Sequence, residues 1–360
     1  MAGLSADHPG PPVFRDERGG LMRIQLVLLL ALASGLLAPS FARAVDSPWP
    51  KDDAARAAHA HDAEDEDEPE HAPADSLPHL VPGDFCGPSI PADEALGFVP
   101  MPEGDVFCPL IADPKGMYSF ASYVRGTSDS PLGTDVGSVG IADRFPLMRW
   151  GGPDPGEGLQ IGLEGAVFAQ FDLNSVSIDL LNADYIVGLP ITARLGRMST
   201  RLRVYHQSSH LGDEFLLRSG TVLRENFSFE AGEALLSGDI GFVRLYGGGE
   251  YVFSARPSAG VITHVVHGGI ELRQKRGALH LGGIANVRLV AALDVKAVQV
   301  LDWEPAYSAR GGFEIGRARP TQHVSRRVSL LAEFYSGRSP YGQFYHSDVR
   351  YYGLGLHFEQ

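Results

Sequence analysis

"LQIGLEGAVFAQF", residues 159–171, alternates with a period of two. Leu159, Ile161, Leu163, Val167 and Phe171 share one face, and Gln160, Glu164 and Gln170 share the other. Successive side chains of an extended strand point to opposite sides of its sheet, so this is a strand with one apolar and one polar face. The alternation recurs in "DYIVGLPITAR" (184–194), "FVRLYGGGEYVF" (242–253) and "RVSLLAEFY" (327–335). From residue 117 onward no helical period is sustained.

A soluble sandwich would alternate too. The segments are mostly about 9–11 residues long, the length a tilted membrane strand needs. Their polar faces carry Glu164, Arg194, Arg244, Glu250, Glu271, Arg273 and Glu333, which can pair across a closed interior. The expected fold is all-β: a transmembrane antiparallel β-barrel of about 12 strands over residues 117–360. Strands five to seven are placed near 199–206, 222–230 and 241–253. Gly247-Gly248-Gly249 lies within the seventh and lacks the following Lys-Ser/Thr of a phosphate loop. The last segment, "RYYGLGLHF" (350–358), ends on an aromatic residue, like the signal read by the machinery that inserts outer-membrane barrels; Glu359-Gln360 follow it.

The chain before the strands divides into three. Residues 1–44 form a leader whose core, 22–44, reads as a secretory signal peptide: Arg23, an apolar stretch, then Ala42-Arg43-Ala44. Residues 1–21 fit no ordinary basic region and suggest an over-extended start or a long leader. Residues 45–80, with "HAHDAEDEDEPEH", have almost nothing to bury and are expected as a disordered acidic spacer. Residues 81–116 are expected as an N-terminal periplasmic segment. The two cysteines, Cys86 and Cys108, fall in it, and in an exported chain they suggest a disulfide tying down a loop. A net charge of −14 excludes a basic nucleic-acid footprint.

One cluster stands out chemically: "RVYHQSSHLGDEF", residues 203–215. His206 follows the parity of Leu202 and Val204, the lipid-facing set, and Ser208 shares it. Polar groups on that side are costly unless they sit at the interface or work there. His206-Gln207-Ser208 resembles the His-x-Ser motif of outer-membrane phospholipase A and of the lipid A 3-O-deacylase. That resemblance implies a serine nucleophile, a histidine base and a third residue on the next strand that orients the histidine. In "VLRENFSFE" (222–230) Phe227 and Phe229 read as lipid-facing; Glu225 shares their side, and Asn226 is the other candidate by residue type. Ser209-His210 follow Ser208, a departure from the phospholipase pattern. Two other readings stand beside this one. The cluster can be a strand end that hydrogen-bonds its own loop, or His210, Asp213 and Glu214 can hold Ca²⁺.

A longer resemblance runs over "FCPLIADPKGMYSFASY" (107–123), "NADYIVGLP" (182–190), "YHQSSHLGDEF" (205–215), "RLYGGGEY" (244–251) and "SPYGQFYHSDVRYYGLGLHF" (339–358). These resemble bacterial domain-of-unknown-function family 1207, which implies an outer-membrane barrel without an established activity. Two functions follow: an outer-membrane ester hydrolase acting on the acyl esters of phospholipid or lipid A, or a barrel without chemistry, a narrow pore or structural shell. Tyr341 to His346, in the last outer loop, can fold over the barrel mouth, but aromatic anchoring at the interface is the role expected of them.

Overall fold

The computed structural model describes residues 97–127, 134–153, 156–219, 227–256, 263–274, 279–281, 285–317 and 327–359. The strands are β1 (Gly97–Pro100), β2 (Ser119–Gly126), β3 (Asp135–Gly151), β4 (Gly158–Asp172), β5 (Asp179–Leu195), β6 (Met198–Leu211), β7 (Phe227–Ile240), β8 (Val243–Arg256), β9 (Thr263–Arg273), β10 (Leu279–Leu281), β11 (Ala285–Val298), β12 (Pro305–Arg317), β13 (Arg327–Arg338) and β14 (Asp348–Glu359), with a short helix α1 (Asp213–Ser219) after β6. Of the fourteen, β1 and β10 only flank the sheet; the other twelve close on themselves through the β2–β3, β3–β4 and β14–β2 pairings. All pairings are antiparallel. Closure removes every unpaired edge, which a sheet in an apolar medium requires. No helix among the described residues is long and apolar enough to cross a membrane.

Alternation sets which side each residue takes. Leu189, Ile191, Leu202, Val204, Leu236, Leu245, Phe253, Leu293, Phe313, Leu330, Leu354 and Phe358 form an exposed apolar exterior. The charges that face inward are paired. Arg201 Nε donates to Glu233 at 2.7 Å, and Arg203 bridges Glu233 at 2.7 Å and Glu164 at 2.9 Å. Arg194 meets Asp239, Arg244 meets Glu271, and Arg273 meets Glu314. A buried charge persists only when paired and hydrogen-bonded.

Residues 103–116, expected in the periplasm, instead run through the barrel interior. Arg149 donates to the carbonyls of Glu103 and Gly104, Arg194 to that of Val106, and Arg244 to that of Cys108. The Ile111 amide donates to Glu271 at 2.6 Å, Arg310 reaches the Ile111 carbonyl, and Lys115 pairs with Asp184. A coil without a ladder must find partners for its peptide groups, and the inward-facing arginines and carboxylates supply them. Cys108 is disulfide-bonded, and Cys86 is the other cysteine of the chain. Because Cys108 is buried in the lumen, the bridge is tied to the plug rather than to an outlying loop.

The hairpin turns at one end are tight. Leu195 pairs with Met198 around Gly196, and Ile240 with Val243 around Gly241; φ is +56° and +67° at the two glycines. Two-residue hairpins need a positive φ, which glycine adopts without strain. The second turn corrects the strand expectation. β7 spans 227–240 rather than 222–230, so residues 231–240 belong to a strand. At the other end, Tyr341 and Phe344 are buried; Tyr341 Oη lies 2.7 Å from Ser138 Oγ, and the Gly342 amide donates to Asp184. This loop therefore closes over the barrel mouth instead of anchoring at an interface.

Candidate functional site

β6 carries the site. Along it Ser199, Arg201, Arg203, Tyr205, Gln207 and Ser209 are buried toward the lumen, while Leu202, Val204, His206, Ser208 and His210 take the outer face. His206 and Ser208 lie two residues apart on one face of one strand, with Cα atoms about 7 Å apart. The alternation is unbroken because β6 pairs continuously with β5 from Leu195↔Met198 to Asn182↔Leu211.

The neighbouring strand supplies the third group. His206 is opposite Glu230 and Ser208 is opposite Ser228. His206 Nδ1 lies 3.0 Å from Glu230 Oε1. A carboxylate only accepts, so Nδ1 is the donor in this pair, an arrangement that in the neutral ring leaves the Nε2 lone pair free. The two side chains are 25% and 26% exposed, covered on one side by the barrel and open on the other. Ser208 makes no side-chain hydrogen bond among the described residues, so its hydroxyl is uncommitted.

Among the described residues, Glu230 is the group that meets His206. Glu225 and Asn226 lie outside the described residues. The lipid-facing side expected of Phe227 and Phe229 is reversed: Phe227 is buried inward, ring against Tyr345, and Phe229 packs against Tyr205, so these odd-numbered residues of β7 point into the barrel. Glu230, one step out of phase with Phe229, therefore faces outward.

The loop metal ligands do not converge. The His210 ring stacks edge-on against Tyr185, with centroids 5.7 Å apart, while Asp213 and Glu214 form the exposed acidic first turn of α1. Among the described residues, one group of three ligand-type side chains does gather: Glu233, Glu250 and His267, inside the lumen. Glu233 is already held by Arg201 and Arg203, and Lys296 stands 3.7 Å from Glu250. Among the described residues around His206 and Ser208, no set of oxygen donors gathers for Ca²⁺.

The chain matches, over residues 60–360, a family described as "Protein of unknown function (DUF1207)". It belongs to that family. No curated protein matches this DUF1207 chain. Among solved structures it is similar to outer membrane phospholipase A from Escherichia coli, at 15% identity and a TM-score of 0.45, over 70% of this chain and 93% of the other. It is also similar to the calcium-bound phospholipase dimer of Salmonella typhi, at 13% identity and a TM-score of 0.44, over 68% and 91% of the two chains. LpxR from Salmonella typhimurium is 13% identical with a TM-score of 0.34, over 67% of this DUF1207 chain and 100% of that one.

Proposed function

We propose that this protein is an outer-membrane acyl-ester hydrolase working on the lipid-facing exterior of its barrel. One observation carries the reading: an oriented His206–Glu230 pair shares the outer face of adjacent strands with the uncommitted hydroxyl of Ser208. The exposed apolar exterior is the surface a barrel presents to lipid, and that surface, with the leader read in the sequence, supports an outer-membrane location. In this setting a polar trio is costly unless it works at the interface.

Ser208 attacks the ester carbonyl while His206 Nε2 takes the hydroxyl proton, and a tetrahedral intermediate forms. Glu230 holds the ring in the required tautomer and stabilises the imidazolium. His206 then returns the proton to the leaving alcohol; water repeats the sequence on the acyl-serine and releases the fatty acid. The substrate class is an outer-leaflet phospholipid or lipid A acyl ester. The pore alternative is disfavoured because residues 103–116 and the paired charges occupy the lumen.

The test is fatty-acid release from mixed phospholipids and from lipid A by the refolded protein in detergent, with Ca²⁺ or with a chelator. Release by wild type that disappears in Ser208→Ala and His206→Ala, with the barrel folded, supports the proposal. Absence of release from every substrate in both metal conditions overturns it and leaves a structural barrel.

A further inference from the structure

Outward from the His206–Glu230 pair, the sheet register aligns a second row of exterior polar groups across three strands. Ser208 on β6 is opposite Ser228 on β7, and Ser228 is opposite Arg256 on β8. Arg256 reaches this row through an irregularity. Between Glu230↔Ser254 and Ala231↔Val252 the β7–β8 register skips Phe253, so Phe253 and Ser254 both lie outward. The bulge advances β8 by one residue, burying Ala255 and turning Arg256 to the exterior. Without it Arg256 would point inward.

The chemistry of the row is specific. Ser208 and Ser228 present hydroxyls with no side-chain hydrogen bond among the described residues. Arg256 is exposed at the outer end of β8, and no carboxylate pairs with it among the described residues. An outward arginine is costly at a bilayer midplane and nearly free at the interface, which places the row at headgroup depth. Adjacent strands are about 4.8 Å apart, so Ser208 and Arg256 are roughly 10 Å apart at the backbone, within what a guanidinium on its flexible stem shortens. A glycerophospholipid carries its ester carbonyl and its phosphate on one glycerol. A planar guanidinium binds phosphate through two parallel hydrogen bonds.

We propose that Arg256, delivered to the exterior by the β8 bulge, binds the headgroup phosphate of the lipid whose acyl ester meets Ser208, with Ser228 as a hydroxyl donor between them. The assignment rests on the hydrolase reading for the ester, while the phosphate site has its own readout.

The experiment measures binding of phosphatidylglycerol and of uncharged diacylglycerol to the folded protein in neutral detergent, with acyl release followed in the same samples. The variants are Arg256→Gln, Arg256→Lys and the remote exposed Arg350→Gln on β14. Wild type is expected to prefer phosphatidylglycerol, and Arg256→Gln to lose about tenfold of that preference. Arg256→Lys keeps part of it, and Arg350→Gln behaves as wild type. During turnover Arg256→Gln raises KM for phosphatidylglycerol far more than it lowers kcat, a split that mere loss of folded protein does not produce. Equal phosphatidylglycerol binding by folded wild type and Arg256→Gln overturns the assignment. So does complete displacement of the lipid by an equal concentration of inorganic phosphate, which would mark a free-anion site. Arg256-dependent binding without acyl release keeps the phosphate site and removes the hydrolase reading; release without Arg256 dependence does the reverse.

Discussion

His206 has a chemical use only because Glu230 fixes its ring and because both lie on the exterior of the barrel. Removing the nucleophile or the base breaks a unit rather than subtracting a part, so Ser208→Ala and His206→Ala are each expected to lower acyl release by about 10³-fold or more. Glu230→Gln leaves a neutral acceptor in place of the carboxylate, and kcat should fall by at least about tenfold but less than in Ser208→Ala. Initial rates on phospholipid micelles check all three; a Glu230→Gln rate equal to wild type would remove Glu230 from the site. The outer face of His206 and Ser208 is legible from Leu202 and Val204 alone, because alternation along one continuous strand needs no partner. Glu230 is not legible in the same way. Its side depends on where β7 begins and on its phase, and "VLRENFSFE" offers hydrophobic residues at Phe227 and Phe229 that suit either side of a barrel wall.

At the scale of the element, β6 and β7 are joined inside as they are outside, by a basic side chain on β6 and a glutamate on β7. Glu233 accepts from both Arg201 and Arg203, and its side chain is fully covered. Glu233→Gln leaves buried Arg201 without its carboxylate and Arg203 with Glu164 alone, a loss of about 3–5 kcal/mol. Urea titration of the refolded barrel should show the midpoint falling well below wild type; an unchanged midpoint would mean water replaces the pair. The bulge on β8 is invisible in "EYVFSARPS", where alternation from Tyr251 would simply continue. A bulge is a property of two paired strands, decided by the register each has accepted from its other neighbour.

For the whole molecule, the lumen is the decisive space. Residues 103–116 fill it, held through their own carbonyls and amides by Arg149, Arg194, Arg244, Glu271 and Arg310. The intact protein inserted in a planar bilayer is expected to give no steady open conductance; a stable ohmic channel would contradict the filled lumen. The sequence by itself determined the class of the fold. Alternation with charged residues on one face and apolar residues on the other is a one-strand property, and twelve such segments can satisfy their edges in an apolar medium only by closing. It also placed His206 and Ser208 on one face. Only the tertiary structure decided that the preceding segment threads the barrel, that Glu230 is the partner of His206, and that Arg256 turns outward. Each of these depends on contacts between residues far apart in the chain, whose strength exists only after closure has removed water from one side and fixed the register on the other.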